Sequence, residues 1–538
     1  MVGKNNPASN PTNPLDVFII GAGPCGLAVA ARLQESTPSA LFTDEEHQRY
    51  LWIRRHGGRV ALAGKGKKKQ RKEAARGSRS SPKILVLDSS SPAWLEKWHR
   101  SFRTLEIAHL RSPMFFHVDP GDRDGMLAYT RENRREGELG EISGCVGKEI
   151  SKHRQKKRAN SVRNRGAIGG DGEVEIDERD RKDYFAPSSA LFADYSASIV
   201  ERYGLDLPGL VVKGEACDIQ YGDDGNGLRV FSVRTTDGRE FYARAVVLAI
   251  GPGRTKIYPF PLSDEEKTAS SHSSEIGCFP SPRVQGMIQQ RRASNVVVVG
   301  GGLTSAQIVD LAVRRGVTRV WHLMRSDVKV KHFDIALPWM GKFKNYEKAA
   351  FWSADTDEER LEKIQAARNG GSITPHYLKI LKQHVARRRV SIHPRTVISE
   401  RRYCPDTQTW QLTTDPPIPD LPAVDHIYFA TGVKSDVNEL PLLQRMQREY
   451  PIETKQGLPC ITDDLMWQAD VPLFVTGRLA ALRLGPGAGN LEGARMGAER
   501  VTWGVEETLE GGGNEMETGL DCLCGMGNRY ERLSSIAG

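Results

Sequence analysis

The sequence predicts an α/β fold with parallel sheets, and three observations carry that prediction. Residues 16–31 (DVFIIGAGPCGLAVAA) and 295–310 (NVVVVGGGLTSAQIVD) share one grammar: a short buried strand, a glycine-rich turn, then a helix. Strand and helix signals alternate along much of the rest, the pattern of βαβ units. The 538 residues, 39% hydrophobic and 27% charged, suffice for two or three domains with a sizeable core.

The elements read as follows. Residues 1–15 form a disordered tail with no signal-peptide core, as on a cytoplasmic protein. Residues 16–21 are a strand and 24–35 a helix; ALFTDEE at 40–46 reads as the next strand, ending in acids. The stretch 57–82 is a Gly/Lys/Arg/Ser insertion without periodicity, read as a surface loop, after which ILVLD (84–88) resumes an apolar run. From 131 to 180 the chain is polar and Gly-rich, an excursion with little packed structure. Between 183 and 203, Phe185, Leu191, Phe192, Tyr195, Ile199 and Tyr203 recur at helical spacing, a stripe read as core packing. Strands follow at 229–235 and 239–250, then 425–432 and 472–477 after the second glycine loop. A glycine-rich turn at 484–490 feeds the last helix, and 509–538 is a loose tail.

Composition limits the function classes. The net charge of +9 is concentrated in patches: 65–79 carries eight Lys or Arg against one Glu, and a second cluster covers 152–165. Both lack apolar periodicity and interleaved aromatics, so they read as solvated loops, with an anionic docking patch or nuclear address as the alternative; no nucleic acid is expected. No stretch approaches the roughly 20 apolar residues of a membrane-spanning helix. The eight cysteines include no CxxC or CxxxxC pair, and no metal-ligand spacing occurs.

GAGPCG at 21–26 fits GxGxxG. Gly21 allows the tight turn, Gly23 lets backbone approach a pyrophosphate, and Gly26 lets helix pack on strand. The helix N-terminus adds free N–H groups and a positive dipole end for phosphate. Asp44, 23 positions after Gly21, is placed to hold the ribose hydroxyls, with Glu45 as the alternative. In the second loop Gly300 and Gly302 keep the pattern, and Ser305 replaces the third glycine with another small residue. The following strand ends at Arg325–Ser326, where an NAD site would carry an acid. A guanidinium there suits the 2′-phosphate of NADPH; Asp327 as a displaced ribose acid is the other reading. Two dinucleotide sites on one chain fit a flavoprotein: FAD in the first, NADPH in the second to reduce it.

These motifs resemble the flavin-dependent N-hydroxylating monooxygenases of lysine and ornithine, within the two-dinucleotide-domain flavoproteins. Four features carry the resemblance: GAGPCGL; the GGGLTSA loop; His272–Ser273–Ser274 between VVLAIGPG and that loop; and Asp425 followed by Phe429-Ala430-Thr431-Gly432. It spans 16–56, 84–130 and 183–503. Two departures stand out: Val433 where the family has an aromatic, and LRSPMFFHVDP (110–120), which matches the lysine and ornithine enzymes poorly. The missing cysteine pair separates the chain from the disulfide reductases, and no F-x-G-x-x-x-H precedes the second loop, unlike the Baeyer–Villiger enzymes.

The resemblance implies two Rossmann-like domains: FAD domain 16–254, inserted NADPH domain 255–424, FAD domain again at 425–508. It implies reduction of FAD by NADPH, oxygen transfer through a flavin hydroperoxide to a small primary amine, and a role in siderophore or secondary metabolism. Oxidation of carbon or sulfur and a non-catalytic regulator are the rival classes. Thr431, Gly432, Gly477, Gly489, Asn490 and Leu491 are the remaining cofactor-binding candidates, the helix from Leu491 aimed at the flavin pyrimidine edge. His117, His272 and Asn490 are candidate hydrogen-bonding groups at the reacting centre, or satisfied structural polar groups.

Overall fold

The computed structural model describes residues 13–35, 38, 40–41, 82–142, 144–145, 184–223, 227–253, 255–340 and 344–510. Two sheets organise the chain, one wholly parallel and one with a parallel centre to which antiparallel strands are added, so the alternating pattern predicts the parallel part of each.

The first sheet is built on strand β1 (Leu15–Ile20), followed by helix α1 (Pro24–Gln34). Val17, Phe18 and Ile19 are fully buried, because helices and loops cover both faces of the sheet. The neighbours of β1, both parallel to it, are β2 (Ile84–Asp88) and a long strand at 240–248. Residues 40–41 form a turn and 42–81 lie outside the described residues. The strand beside β1 is therefore not ALFTDEE but ILVLD. A long insertion separates α1 from its partner strand, and a short apolar–acidic run inside it imitates that strand locally.

Helix α2 (Ser189–Arg202) starts at Ser188, whose hydroxyl accepts the Leu191 N–H. Its buried Leu191, Phe192, Tyr195 and Ile199 confirm the predicted stripe. Strand β3 (Val211–Lys213) then pairs with β2, and the hairpin β4 (Ala216–Asp223)–β5 (Arg229–Thr235) joins β6 (Glu240–Leu248).

The excursion predicted from 131 is shorter than expected. Residues Leu139–Glu141 pair antiparallel with Phe185–Pro187, and Cys145 is buried. Arg135 fixes this corner by ion pairs to Glu138 and Asp194 at 2.6 Å. Charge pairing, not apolar spacing, orders it, which is why periodicity does not reveal it.

The second sheet is wholly parallel, in the order β7 (Ser270–His272), β11 (His426–Phe429), β8 (Asn295–Val299), β9 (Arg319–Leu323), β10 (Val390–His393). Val296 and Val298 pack with Ile308 and Leu381, while Val297 packs with Trp410 and Phe429 on the other side. Burial on both sides explains the unbroken valine run. Helices α3 (Pro282–Gln289), α4 (Leu303–Arg314) and α5 (Pro375–Ala386) precede β8, β9 and β10.

Strand β11 sits inside this sheet, between β7 and β8, so 425–432 belongs with the second domain. The return to the first sheet follows Gly432 rather than preceding Asp425. There Val433–Lys434 pairs antiparallel with Thr255–Lys256, placing the outgoing and returning crossings side by side. The chain closes the first sheet with β12 (Met466–Gln468) and β13 (Val471–Val475), the latter parallel to β6. Helix α6 (Leu491–Glu510) then packs against α1. Among the described residues no helix is long and apolar enough to cross a membrane.

Candidate functional site

In an open parallel sheet, ligands gather at the carboxyl ends of the strands. At that end of the first sheet stand the turns after β1, β2, β6 and β13. The three glycines of the first loop have different reasons to be glycine. Gly21 has φ +115°, and a Cβ on it would stand 2.3 Å from the Ala249 carbonyl oxygen. A Cβ on Gly26 would stand 1.9 Å from the Gly21 carbonyl oxygen. Both are required by packing. A Cβ on Gly23 would meet nothing within 4 Å. That open space faces the first turn of α1, where N–H groups lack intrahelical partners.

Asp44 and Glu45 lie outside the described residues. The acid that ends the strand beside β1 is Asp88, 67 positions after Gly21. One of its carboxylate oxygens accepts the Ala22 N–H at 2.9 Å, and the other accepts the Ser90 N–H at 2.8 Å. The oxygen that accepts the Ser90 N–H also accepts the Ser90 hydroxyl at 2.5 Å, so the oxygen facing Ala22 is the one that keeps a further acceptor position for a ribose hydroxyl. Sequence reasoning missed Asp88; ILVLD, an apolar run closing on Asp, was the signal for it.

Across the edge, Gly477 has φ +72° and lies against the Cys25 thiol. Burial pushes that thiol up to about 12, so Cys25 is an inert packing group. Asn490 precedes α6, and its carbonyl accepts the Ala494 N–H at 2.9 Å. Its side-chain amide donates to Asp334 from the second domain at 3.1 Å, while Leu491 is buried and Gly489 exposed. Asn490 therefore caps the helix and touches the other domain.

The second loop repeats this logic. Gly300 has φ +148°, with a Cβ excluded by the Ala430 carbonyl oxygen at 2.4 Å; a Cβ on Gly302 would meet only Gly371, at 3.9 Å. Ser305 is buried and donates to the Gly302 carbonyl at 2.7 Å. Beneath the loop, fully buried His322 on β9 places Nε2 2.8 Å from the Gly300 carbonyl and 3.0 Å from the Ser305 hydroxyl. A carbonyl only accepts, so Nε2 carries the proton. Burial pushes this imidazole down to about 4, so it is neutral at physiological pH. An unfolded imidazole takes up its proton near pH 6.5, so the stability tied to this ring is present above that pH and falls away towards pH 4. His322→Leu removes the tie on the loop: KM for NADPH should rise about tenfold at ~1 kcal/mol per lost hydrogen bond, with kcat at saturating coenzyme nearly unchanged. A matching fall in kcat would contradict a purely positioning role.

Arg325 and Ser326 are exposed just past β9, and Arg325 has no hydrogen-bond or ion-pair partner among the described residues. Its rivals are engaged: Asp327 pairs with Arg395 at 3.2 Å, Lys329 donates to Asn369, and Lys331 donates to the Arg368 carbonyl. Arg325 is thus the free guanidinium at this edge.

His272 ends β7. Its Nε2–H donates to the Gly432 carbonyl at 3.0 Å, and Nδ1 accepts the Ser274 N–H. Thr431 donates to the Ile257 carbonyl. These bonds shape the turn at which the chain crosses back, so His272 acts through Gly432. His117 is fully buried; Nε2–H donates to the Arg123 carbonyl at 2.8 Å and Nδ1 accepts the Asp119 N–H at 3.2 Å. Burial pushes it down to about 3. With both nitrogens satisfied within its own loop, it is a structural group rather than one available to a flavin.

A second residue missed by sequence reasoning is Arg111. Its guanidinium donates to the carbonyls of Lys331, His332, Phe333 and Ser372 and to the Ser372 hydroxyl. Burial pushes it down only to about 10, so it stays cationic and clamps segment 110–116 of the first domain to the second. A lone arginine in a polar context carries no local signal. Among the described residues no cluster fit for a metal ion occurs.

Residues 207–434 match the family model for L-lysine 6-monooxygenase/L-ornithine 5-monooxygenase. No curated protein matches the sequence. Solved structures share the fold: the ornithine N-hydroxylase of Kutzneria sp. 744, with reduced FAD, NADP+ and L-ornithine, is 16% identical with a TM-score of 0.57, covering 92% of this chain and 99% of that one. The ornithine hydroxylase of Pseudomonas aeruginosa is 14% identical with a TM-score of 0.58 over 92% and 99%. The FAD-bound cadaverine monooxygenase of Erwinia amylovora is 14% identical with a TM-score of 0.56 over 91% and 94%. The resemblance read from the motifs is borne out: residues 207–434 match the model of the L-lysine 6-monooxygenase/L-ornithine 5-monooxygenase family, and the fold is the one shared by the solved ornithine hydroxylases.

Proposed function

We propose that the chain is an FAD- and NADPH-dependent monooxygenase that N-hydroxylates a primary amine, of the ornithine, lysine or cadaverine kind, with molecular oxygen. The observation that carries this reading is the pair of glycine loops. Each follows a strand with parallel neighbours, Gly23 faces open space while a Cβ on Gly302 would meet only Gly371 at 3.9 Å, and two adjacent crossings join the domains that bear them. The six described cysteines are free thiols, which fits a cytoplasmic setting.

The residues divide as follows. Gly23 and the N-terminus of α1 receive the FAD pyrophosphate, with Asp88 on its ribose. The N-terminus of α6, entered through Gly489 and Asn490, faces the flavin and stabilises negative charge on the reduced ring by up to ~2 kcal/mol. Gly302 and the N-terminus of α4 receive the pyrophosphate of NADPH, and Arg325 with Ser326 its 2′-phosphate. Bound flavin, once reduced, supplies the oxygen activation. Thr431 and Gly432, held by Ile257 and His272, fix the backbone between the two cofactors. Arg111 holds the domains together so that water is kept from the reacting atoms.

Anaerobic reduction tests the coenzyme half. NADPH should bleach the bound flavin. Arg325→Ala should raise the apparent KM for NADPH about ten- to a hundredfold, since a charge-assisted hydrogen bond contributes ~1.5–3 kcal/mol. NADH use and flavin content should not change. Equal losses with both coenzymes would make Arg325 structural, and a protein that binds no flavin would favour the regulator.

A further inference from the structure

The other edge of the second sheet, where its strands begin, collects arginines. Strand β8 is entered through Arg291–Arg292, β9 through Arg315 and Arg319, and β10 through Arg387 and Arg388; all six are exposed. Because β8, β9 and β10 are adjacent and parallel, these entries stand side by side, strand to strand at about 4.8 Å. Counter-charge is sparse. Glu106 pairs with Arg314 and Arg315, and Asp425, at the entry of β11, pairs with Arg283 and attracts Arg292 at longer range, while Arg291, Arg292, Arg387 and Arg388 have no side-chain hydrogen bond or ion pair among the described residues.

The turns add a second observation. Helices α3, α4 and α5 all end in one motif, with N–H groups returning to carbonyls five and three residues back: Arg292 to Met287 and Arg291 to Ile288, Val317 to Ala312 and Gly316 to Val313, Arg389 to His384 and Arg388 to Val385. The left-handed position of this motif favours glycine. The α4 turn uses it, with Gly316 at φ +96°, whereas the other two carry Arg291 at φ +56° and Arg388 at φ +55°. Attraction of cations to helix C-termini accounts for basic residues in a last turn. It does not account for arginine where the backbone asks for glycine.

We infer that this edge docks on an anionic phospholipid surface. Guanidinium groups match phosphate in charge and geometry, and a cluster of this size is of the kind that holds proteins to anionic lipid. The edge is made of loop corners with no helix to enter a nucleic-acid groove. Trp321 lies buried beneath Arg319, so it offers no stacking face, and the exposed apolar neighbour is Val385, beside Arg387. The coenzyme loop lies at the opposite end of the same strands, so docking leaves it open.

Flotation of the full chain with vesicles tests this inference independently of the flavin chemistry. The protein should travel with phosphatidylcholine–phosphatidylserine vesicles, less so as salt rises, and not with pure phosphatidylcholine. The combined variant Arg291→Glu, Arg292→Glu, Arg387→Glu, Arg388→Glu should lose at least tenfold in partitioning at unchanged flavin content. Should charge reversal impair folding, the same four positions changed to Gln provide the reading. Wild type that ignores anionic vesicles, a variant that binds as well as wild type (so that the basic runs at 65–79 and 152–165 carry the attraction), or retention of RNA in place of vesicles would each overturn it.

Discussion

Gly23→Val is expected to purify as folded but colourless protein. A Cβ at this position meets nothing within 4 Å, so the isopropyl group fits the protein itself. It fills instead the space in front of the α1 N-terminus, where the pyrophosphate lies in the proposed site. FAD affinity should fall at least a hundredfold, about 3 kcal/mol, with the thermal midpoint of the apoprotein unchanged. Gly26→Val is the contrast, because its Cβ would stand 1.9 Å from the Gly21 carbonyl oxygen and the helix must leave the strand. That variant should lose folded yield as well as colour. The absorbance ratio of flavin to protein, read with a melting curve, separates the two; yellow Gly23→Val with full flavin would refute the first-loop assignment.

Glu499→Ala is expected to destabilise the fold by ~3–5 kcal/mol. Glu499 on α6 accepts Arg32 of α1 through Nε at 2.6 Å and Nη2 at 2.8 Å, and it also accepts the Trp503 indole N–H at 3.0 Å. The two side chains are 5% and 6% exposed. Removing the carboxylate takes two charge-assisted bonds from a buried guanidinium, which keeps the Glu35 carbonyl at 3.3 Å. The same pair fixes α1 against α6, the two helices whose N-termini face the flavin in the proposed site, so flavin retention should weaken too. Replacing both residues by Met should recover much of the loss, since an apolar pair of similar volume leaves no unpaired charge. Urea unfolding measures both variants, and a single-variant cost below ~1 kcal/mol would contradict the account.

Much of this was legible in the sequence because glycine loops between a valine-rich strand and a helix are local signals. The strands at 15–20 and 295–299, the helices after them and the stripe from Leu191 to Ile199 all sit where the spacing places them. What local pattern could not supply was pairing across distance. Asp88 is brought beside Gly21 by strand pairing over an insertion, and ALFTDEE satisfied the same local rule sooner. Strand β11 joins the second sheet between β7 and β8, which only topology decides. Arg111 spends its guanidinium on main-chain carbonyls, partners that no sequence pattern encodes. Residues 139–141 are ordered by ion pairs and a two-stranded ladder where polar composition had predicted a loose excursion. His117, a polar group in an apolar loop, turned out to be satisfied by its own neighbours.

The most direct test of the central claim is product analysis under aerobic turnover, with L-ornithine, L-lysine and cadaverine offered separately to the flavin-loaded protein and NADPH. At least one of these amines should be converted to its N-hydroxy derivative, with the hydroxyl oxygen labelled when the oxygen gas is labelled and with NADPH consumed in step. NADPH consumption that yields hydroxylamine from none of them, while a carbon or sulfur substrate is oxidised instead, would contradict N-hydroxylation as the function.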